Sequence, residues 1–149
     1  MRDILFRAKS AEDTDAAFKG QWAKGFLVQD QTGDMFGIVG GFGIIGKRNN
    51  GNNCFIAIDP ETAGEYTGLK DKNGIEIFEG DICRLRLRCH DPELILTGKV
   101  CFETGGFWFF GSGWSLHDWH FYDVSDIEVI GNIHDNTKLL ESNNEHGNL

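Results

Sequence analysis

Apolar positions in this chain recur at every second residue far more often than at every third or fourth. The clearest run sets Cys83, Leu85, Leu87 and Cys89 on one side and Arg84, Arg86 and Arg88 on the other. A period of two predicts a half-buried strand, here with a cationic outer stripe. Residues 22–28 and 35–45 are β-branched and aromatic, and Gln31-Thr32-Gly33 between them signals a hairpin. Further strands are predicted over 54–58, 75–78, 98–102, 107–110 and 127–133, with a short edge strand over 4–7. Asn50-Gly51, Asn73-Gly74 and Thr104-Gly105-Gly106 supply tight turns between them. Residues 10–18 read as a polar loop or one helical turn capped by Ser10, and 137–142 as a short terminal helix. The pattern predicts a mainly β chain with little helix.

Composition narrows the function classes. The 149 residues carry 14 Lys and Arg against 23 Asp and Glu, a net charge of −9, which argues against a general nucleic-acid binder. The charge is uneven: residues 82–100 are locally cationic, and the segment from Asp118 onward is strongly acidic. No apolar run approaches the ~20 residues needed to span a bilayer. The opening Met1-Arg2-Asp3 is charged too early for a signal peptide, so a cytoplasmic setting without membrane attachment is expected. Cys54, Cys83, Cys89 and Cys101 form no CxxC pair and read as small buried apolar residues.

Several motifs resemble catalytic sites without their chemistry. Residues 41–47, Gly-Phe-Gly-Ile-Ile-Gly-Lys, satisfy two nucleotide-binding patterns at once. A phosphate loop needs a following helix and a hydroxyl for the metal, whereas Arg48 and an Asn/Gly turn come next. Gly113-Trp114-Ser115-Leu116-His117 lacks the second glycine of a nucleophile elbow. Cys83, Cys89, His90 and Cys101 match no zinc-binding spacing, and His117 and His120 would point to opposite faces of a strand. No catalytic, cofactor or metal site is therefore expected. A metal-dependent hydrolase built on His117, Asp118, His120 and His134 stands as a third reading.

Two features could meet a partner. Arg84, Arg86 and Arg88 could track a phosphate backbone, or they could simply pair with the chain's own carboxylates. Eight aromatic residues fall between positions 107 and 122. Within them Phe107 and Phe109 take one face of a strand and Trp108 and Phe110 the other, so both faces call for burial. That pattern predicts a core position plus a subunit interface, rather than a one-sided surface for stacking bases.

Residues 65–83, Glu-Tyr-Thr-Gly-Leu-Lys-Asp-Lys-Asn-Gly-Ile-Glu-Ile-Phe-Glu-Gly-Asp-Ile-Cys, resemble the signature of the YopX family of phage and prophage proteins. Residues 2–7, the Trp22-Ala23-Lys24-Gly25 element, the 58–62 lead-in and the 127–136 closing segment resemble the same family in the same order. Residues 84–122 depart from it most. The resemblance implies a phage or prophage origin and carries no catalytic residues with it. The signature reads as a double-turn segment, 65–82, between a β subdomain over 1–64 and a second over 75–140, with a frayed tail over 141–149. The second subdomain's strand pattern resembles an SH3-like small barrel. The expected function is that of a non-enzymatic accessory protein acting through protein–protein contacts, as a homo-oligomer or on a phage or host protein. Nucleic-acid binding through the arginine stripe is the alternative.

Overall fold

The computed structural model describes residues 4–11, 20–29, 36–39, 55–87, 94–117 and 124–141. Its chain divides into two compact units, Met1–Tyr66 and Thr67–Leu149. Both are built from antiparallel strands. The 41–47 segment that mimics a nucleotide loop, Arg88, Cys54, Cys89, His90, Asp118 and His120 lie outside the described residues.

In the first unit the strands are β1 (Phe6–Lys9), β2 (Trp22–Gln29), β3 (Phe36–Val39), β4 (Ile56–Ala57) and the first residues of β5 (Gly64–Lys70), which runs on into the second. Their hydrogen-bonded order is β4-β3-β2-β1-β5. The predicted hairpin is present as β2 and β3, with Phe26 opposite Val39 and Gln29 opposite Phe36. The opening strand, by contrast, is not at an edge. It pairs with β2 through Phe6↔Gly25 and Lys9↔Trp22, and with β5 through Phe6↔Glu65. Arg7 and Lys9 disguise this central position in the sequence. Their charged ends lie 4.7 and 5.5 Å from the Trp22 ring centroid, while Ala8 is buried with Ala23, Ile38 and Ile58. A cation over an indole face lets a basic residue sit on an interior strand.

The 58–62 lead-in is a one-turn 3-10 helix, Pro60–Thr62, started by the Asp59 side chain accepting from the Glu61 N–H at 3.1 Å. Thr62 Oγ1 donates to the Asp59 carbonyl (2.7 Å) and accepts from the Lys9 N–H (2.8 Å). One hydroxyl thus ties the turn to β1. The chain leaves this unit along β5.

The second unit adds β6 (Glu76–Phe78), β7 (Asp81–Leu87), β8 (Leu94–Glu103), β9 (Gly106–Gly111), β10 (Trp114–His117), β11 (Val124–Asn132) and a four-residue helix α1 (Lys138–Glu141). A five-stranded sheet runs β10-β9-β8-β7-β11. Among the described residues nothing pairs β10 with β11, the contact that would close this sheet into a barrel. Its inner face buries Cys83, Leu85, Val100 and Phe109 together with Ile77 of β6, and Leu96, Trp114, Ile127 and Val129 pack against them. Cys83 and Phe109 are fully buried, as expected of a thiol and an aromatic ring in an apolar cluster. The Thr104-Gly105 turn joins β8 to β9 with both residues at positive φ, 52° and 79°, the geometry of a type I′ hairpin.

β10 is a strand the sequence pattern does not predict. Its Trp114 ring lies across two glycines, Gly98 of β8 and Gly111 of β9, where a Cβ would approach the indole to 2.7 and 2.1 Å. The glycines there make a seat for an aromatic ring.

Candidate functional site

The face of the five-stranded sheet opposite the core gathers the residues that the sequence marks for contact. Strand register fixes them. Arg84 stands opposite Thr97 and Arg86 opposite Ile95 on β8, with Glu128 and Asp126 opposite them on β11. Lys99 stands opposite Phe110 and Cys101 opposite Trp108, and His117 and Ser115 of β10 complete the row.

The arginines carry their own counterions. Arg84 Nη1 lies 3.6 Å from Glu128 Oε2, Lys72 Nζ lies 3.4 Å from the same oxygen, and Arg86 Nη1 lies 3.8 Å from Asp126 Oδ2. The guanidinium side chains remain 52% and 42% exposed. Long, solvated pairs of this kind contribute little to stability and exchange partners readily. With Ile95 these five side chains line an open groove of about 290 Å³. Three cations face two carboxylates in the groove, which leaves it one charge positive.

The aromatic end of the face is more tightly organised. The Trp108 and His117 rings stack with centroids 4.0 Å apart and planes inclined at 29°. Phe110 stacks on Trp108 from the same strand at 5.9 Å and 27°. Trp108 Nε1 donates to the Glu103 carbonyl at 2.9 Å, which fixes the indole in one orientation. All three rings are half-buried. Of the four aromatic residues expected at an interface, Phe107 and Phe109 turn to the core side, and Phe102 meets Phe107 edge to face at 5.0 Å. Trp108 and Phe110 are the two that face outward. Close by, burial raises the Cys101 thiol pKa above its ordinary value, with Glu103 and Glu79 adding to the rise and Lys99 opposing it.

Among the described residues no three His, Cys, Asp or Glu side chains come together as metal ligands would. His134 sits in the turn after β11, where its N–H donates to Asn132 Oδ1 at 3.0 Å.

The sequence reading missed the buried carboxylates that build the signature segment. Asp71 is 7% exposed, and its Oδ1 accepts the N–H groups of Asn73 (2.8 Å) and Ile75 (2.9 Å). Its Oδ2 accepts from Val129 at 3.0 Å. Burial pushes its pKa up, but the three backbone donors and Lys72 outweigh that and hold it below the ordinary carboxylate value. Asp81, 1% exposed, accepts from the Phe78 N–H at 2.8 Å. Between the two carboxylates, Gly80 at φ 89° donates to the Val100 carbonyl and accepts from the Ile133 N–H. Asp followed by Asn-Gly is an Asx-turn signal that could have revealed Asp71. The 127–136 segment ends in the same way: Asn132 Oδ1 also accepts from Asp135, and Asn136 Oδ1 accepts from the Asn132 N–H.

These features define a mainly β protein whose motif residues build turns and whose described residues include an organised sheet face. The model of the YopX protein family matches residues 41–141, and the chain belongs to that family. The crystal structure of protein EF1440 from Enterococcus faecalis is similar in fold, with a TM-score of 0.54 and 21% identity over 94% of this chain and 99% of that one. No curated protein matches. Among the described residues no helix is long and apolar enough to cross a membrane.

Proposed function

We propose that this is a non-enzymatic accessory protein of phage or prophage origin, acting in the host cytoplasm through protein–protein contacts and assembling as a homo-oligomer. The observation that carries this reading is the state of Trp108. Its indole is held by the Glu103 carbonyl and stacked on His117 and Phe110, yet it remains partly open to solvent. A large aromatic ring already fixed in position loses little conformational entropy on docking, which is the property of an interface anchor.

The same geometry weakens the nucleic-acid alternative. A base-stacking platform needs a free π-face, and His117 at 4.0 Å covers one face of Trp108. Arg84 and Arg86 each stand beside a carboxylate, Glu128 and Asp126, whose negative charge would repel an incoming phosphate. The alternative keeps one argument: Lys99, Arg84 and Arg86 share a face with the rings.

Light scattering after size exclusion tests the leading reading. The expected result is a mass above one chain that falls to one chain in a Trp108→Ala/Phe110→Ala variant. A monomer near 16.7 kDa at all concentrations, with Trp108 open to a fluorescence quencher, would overturn the oligomer. Binding to single-stranded DNA or RNA that weakens with salt and is lost on Arg84→Gln/Arg86→Gln would favour the alternative instead.

A further inference from the structure

β11 is the outer strand of the five-stranded sheet, and nine residues of exposed edge would be an open template for another chain. This edge is covered from within. The Lys72 N–H donates to the Ile127 carbonyl at 2.9 Å, and the Val129 N–H donates to Asp71 Oδ2 at 3.0 Å. Those two backbone groups lie on the side of β11 away from β7. The Lys72 ammonium adds a third tie, at 3.4 Å from Glu128. Register shifts at Val124/Asp126 and Val129/Gly131 bend the same strand at both ends of the contact.

We propose that Asp71 and Lys72 form a strap that closes the β11 edge against strand addition by a second copy of the chain. Loop conformation alone does not require this arrangement. Asp71 Oδ1 suffices for the local turn through Asn73 and Ile75, and Gly74 completes it by donating to the Asp71 carbonyl at 3.0 Å. The second carboxylate oxygen is directed to a partner 58 positions away in the sequence. An Asx turn built by Asn would hold the loop; only a carboxylate holds loop and edge together with acceptors on both sides. The opposite outer strand, β10, is four residues long, and shortness is the other common means of limiting edge pairing.

The test uses the full chain carrying Trp108→Ala, which removes the aromatic anchor so that any association reports the edge. Asp71→Ala is added to it, and amide hydrogen exchange and scattering mass are followed together. The strap predicts that the Val129 and Lys72 amides exchange at least tenfold faster, that the Leu85 amide in β7 does not, and that association appears and grows with concentration. Unchanged Val129 exchange overturns the proposal, and so does faster exchange at Val129 with no association. Equal acceleration at Leu85 would signify global opening and would also overturn it. Asp71→Asn, which keeps the turn's acceptor oxygen but sets an amide donor against the Val129 N–H, serves if the alanine variant does not fold; it carries the same criteria. Trp108→Ala alone leaving the mass unchanged would count against the aromatic interface and leave the strap standing.

Discussion

The rings of Trp108 and His117 lie face to face, 4.0 Å between centroids, on strands paired directly at those two positions. The pair is the fixed element of the aromatic ridge, because the indole is also held by its own hydrogen bond to Glu103. Replacing His117 with Ala is expected to cost about 0.5–1.5 kcal/mol, the range for a stacked pair. On the proposed homo-oligomer, self-association should weaken as well, since the freed indole must be ordered again on docking. Chemical denaturation and the concentration dependence of the scattering mass check the two effects separately. A variant as stable and as associated as the parent would show that the stack contributes to neither.

Asp71 makes stability depend on pH in one direction. Its folded-state pKa lies below the ordinary carboxylate value, so the carboxylate form is favoured by folding. The contribution is complete above the unfolded-state value of about 3.9, and it is lost as pH falls from there through the lower folded-state value. Unfolding midpoints measured from pH 6 down to pH 2 should therefore fall less steeply in Asp71→Asn than in the parent. At pH 6 the same variant should be less stable by about 1.5–3 kcal/mol, the range for a hydrogen bond to a charged group. Parallel curves for the two proteins would mean that Asp71 is not the group responsible.

What the sequence made legible follows from how each element is specified. β7 and the β2–β3 hairpin could be read because their alternation and turn residues are local. β1 could be read as a strand but not as a central one, since a cation over Trp22 is a contact between strands and leaves no trace in a four-residue pattern. β10 was obscured because its seat is made by Gly98 and Gly111, residues of two other strands. At the candidate site the residue types were visible but their partners were not. The choice between a cationic stripe and a set of ion pairs depended on Asp126 and Glu128, about forty positions beyond Arg84 and Arg86, and only strand register brings them together. Asp71 shows the same limit: the Asx turn is local, whereas its bond to Val129 is not.

The ion pairs on the sheet face should prove nearly neutral for stability. Arg84 and Arg86 are about half exposed and their partners are reached only at 3.6 and 3.8 Å. Exposed pairs of this kind contribute about 0–1 kcal/mol each. Arg84→Gln/Arg86→Gln is thus expected to unfold within about 2 kcal/mol of the parent, with even that difference shrinking as salt is added. A loss well beyond this, insensitive to salt, would mean that the arginines carry packing the ion pairs do not account for.

Trp114 offers the sharpest test of packing. A methyl group at Gly98 would come within 2.7 Å of the indole and 2.9 Å of the Phe110 carbonyl oxygen. The indole could swing away, but the carbonyl belongs to the β8–β9 ladder and can move only if the sheet deforms. Gly98→Ala is therefore expected to cost about 1–3 kcal/mol, as overpacking in a tightly filled interior does. It should also shift tryptophan emission to the red as Trp114 is pushed toward water. A compensating Trp114→Leu change in the same chain relieves only the contact with the indole, so it should recover part of the stability and not all of it. Full recovery would show that the strand backbone had room to yield; no recovery would assign the whole cost to the Phe110 carbonyl.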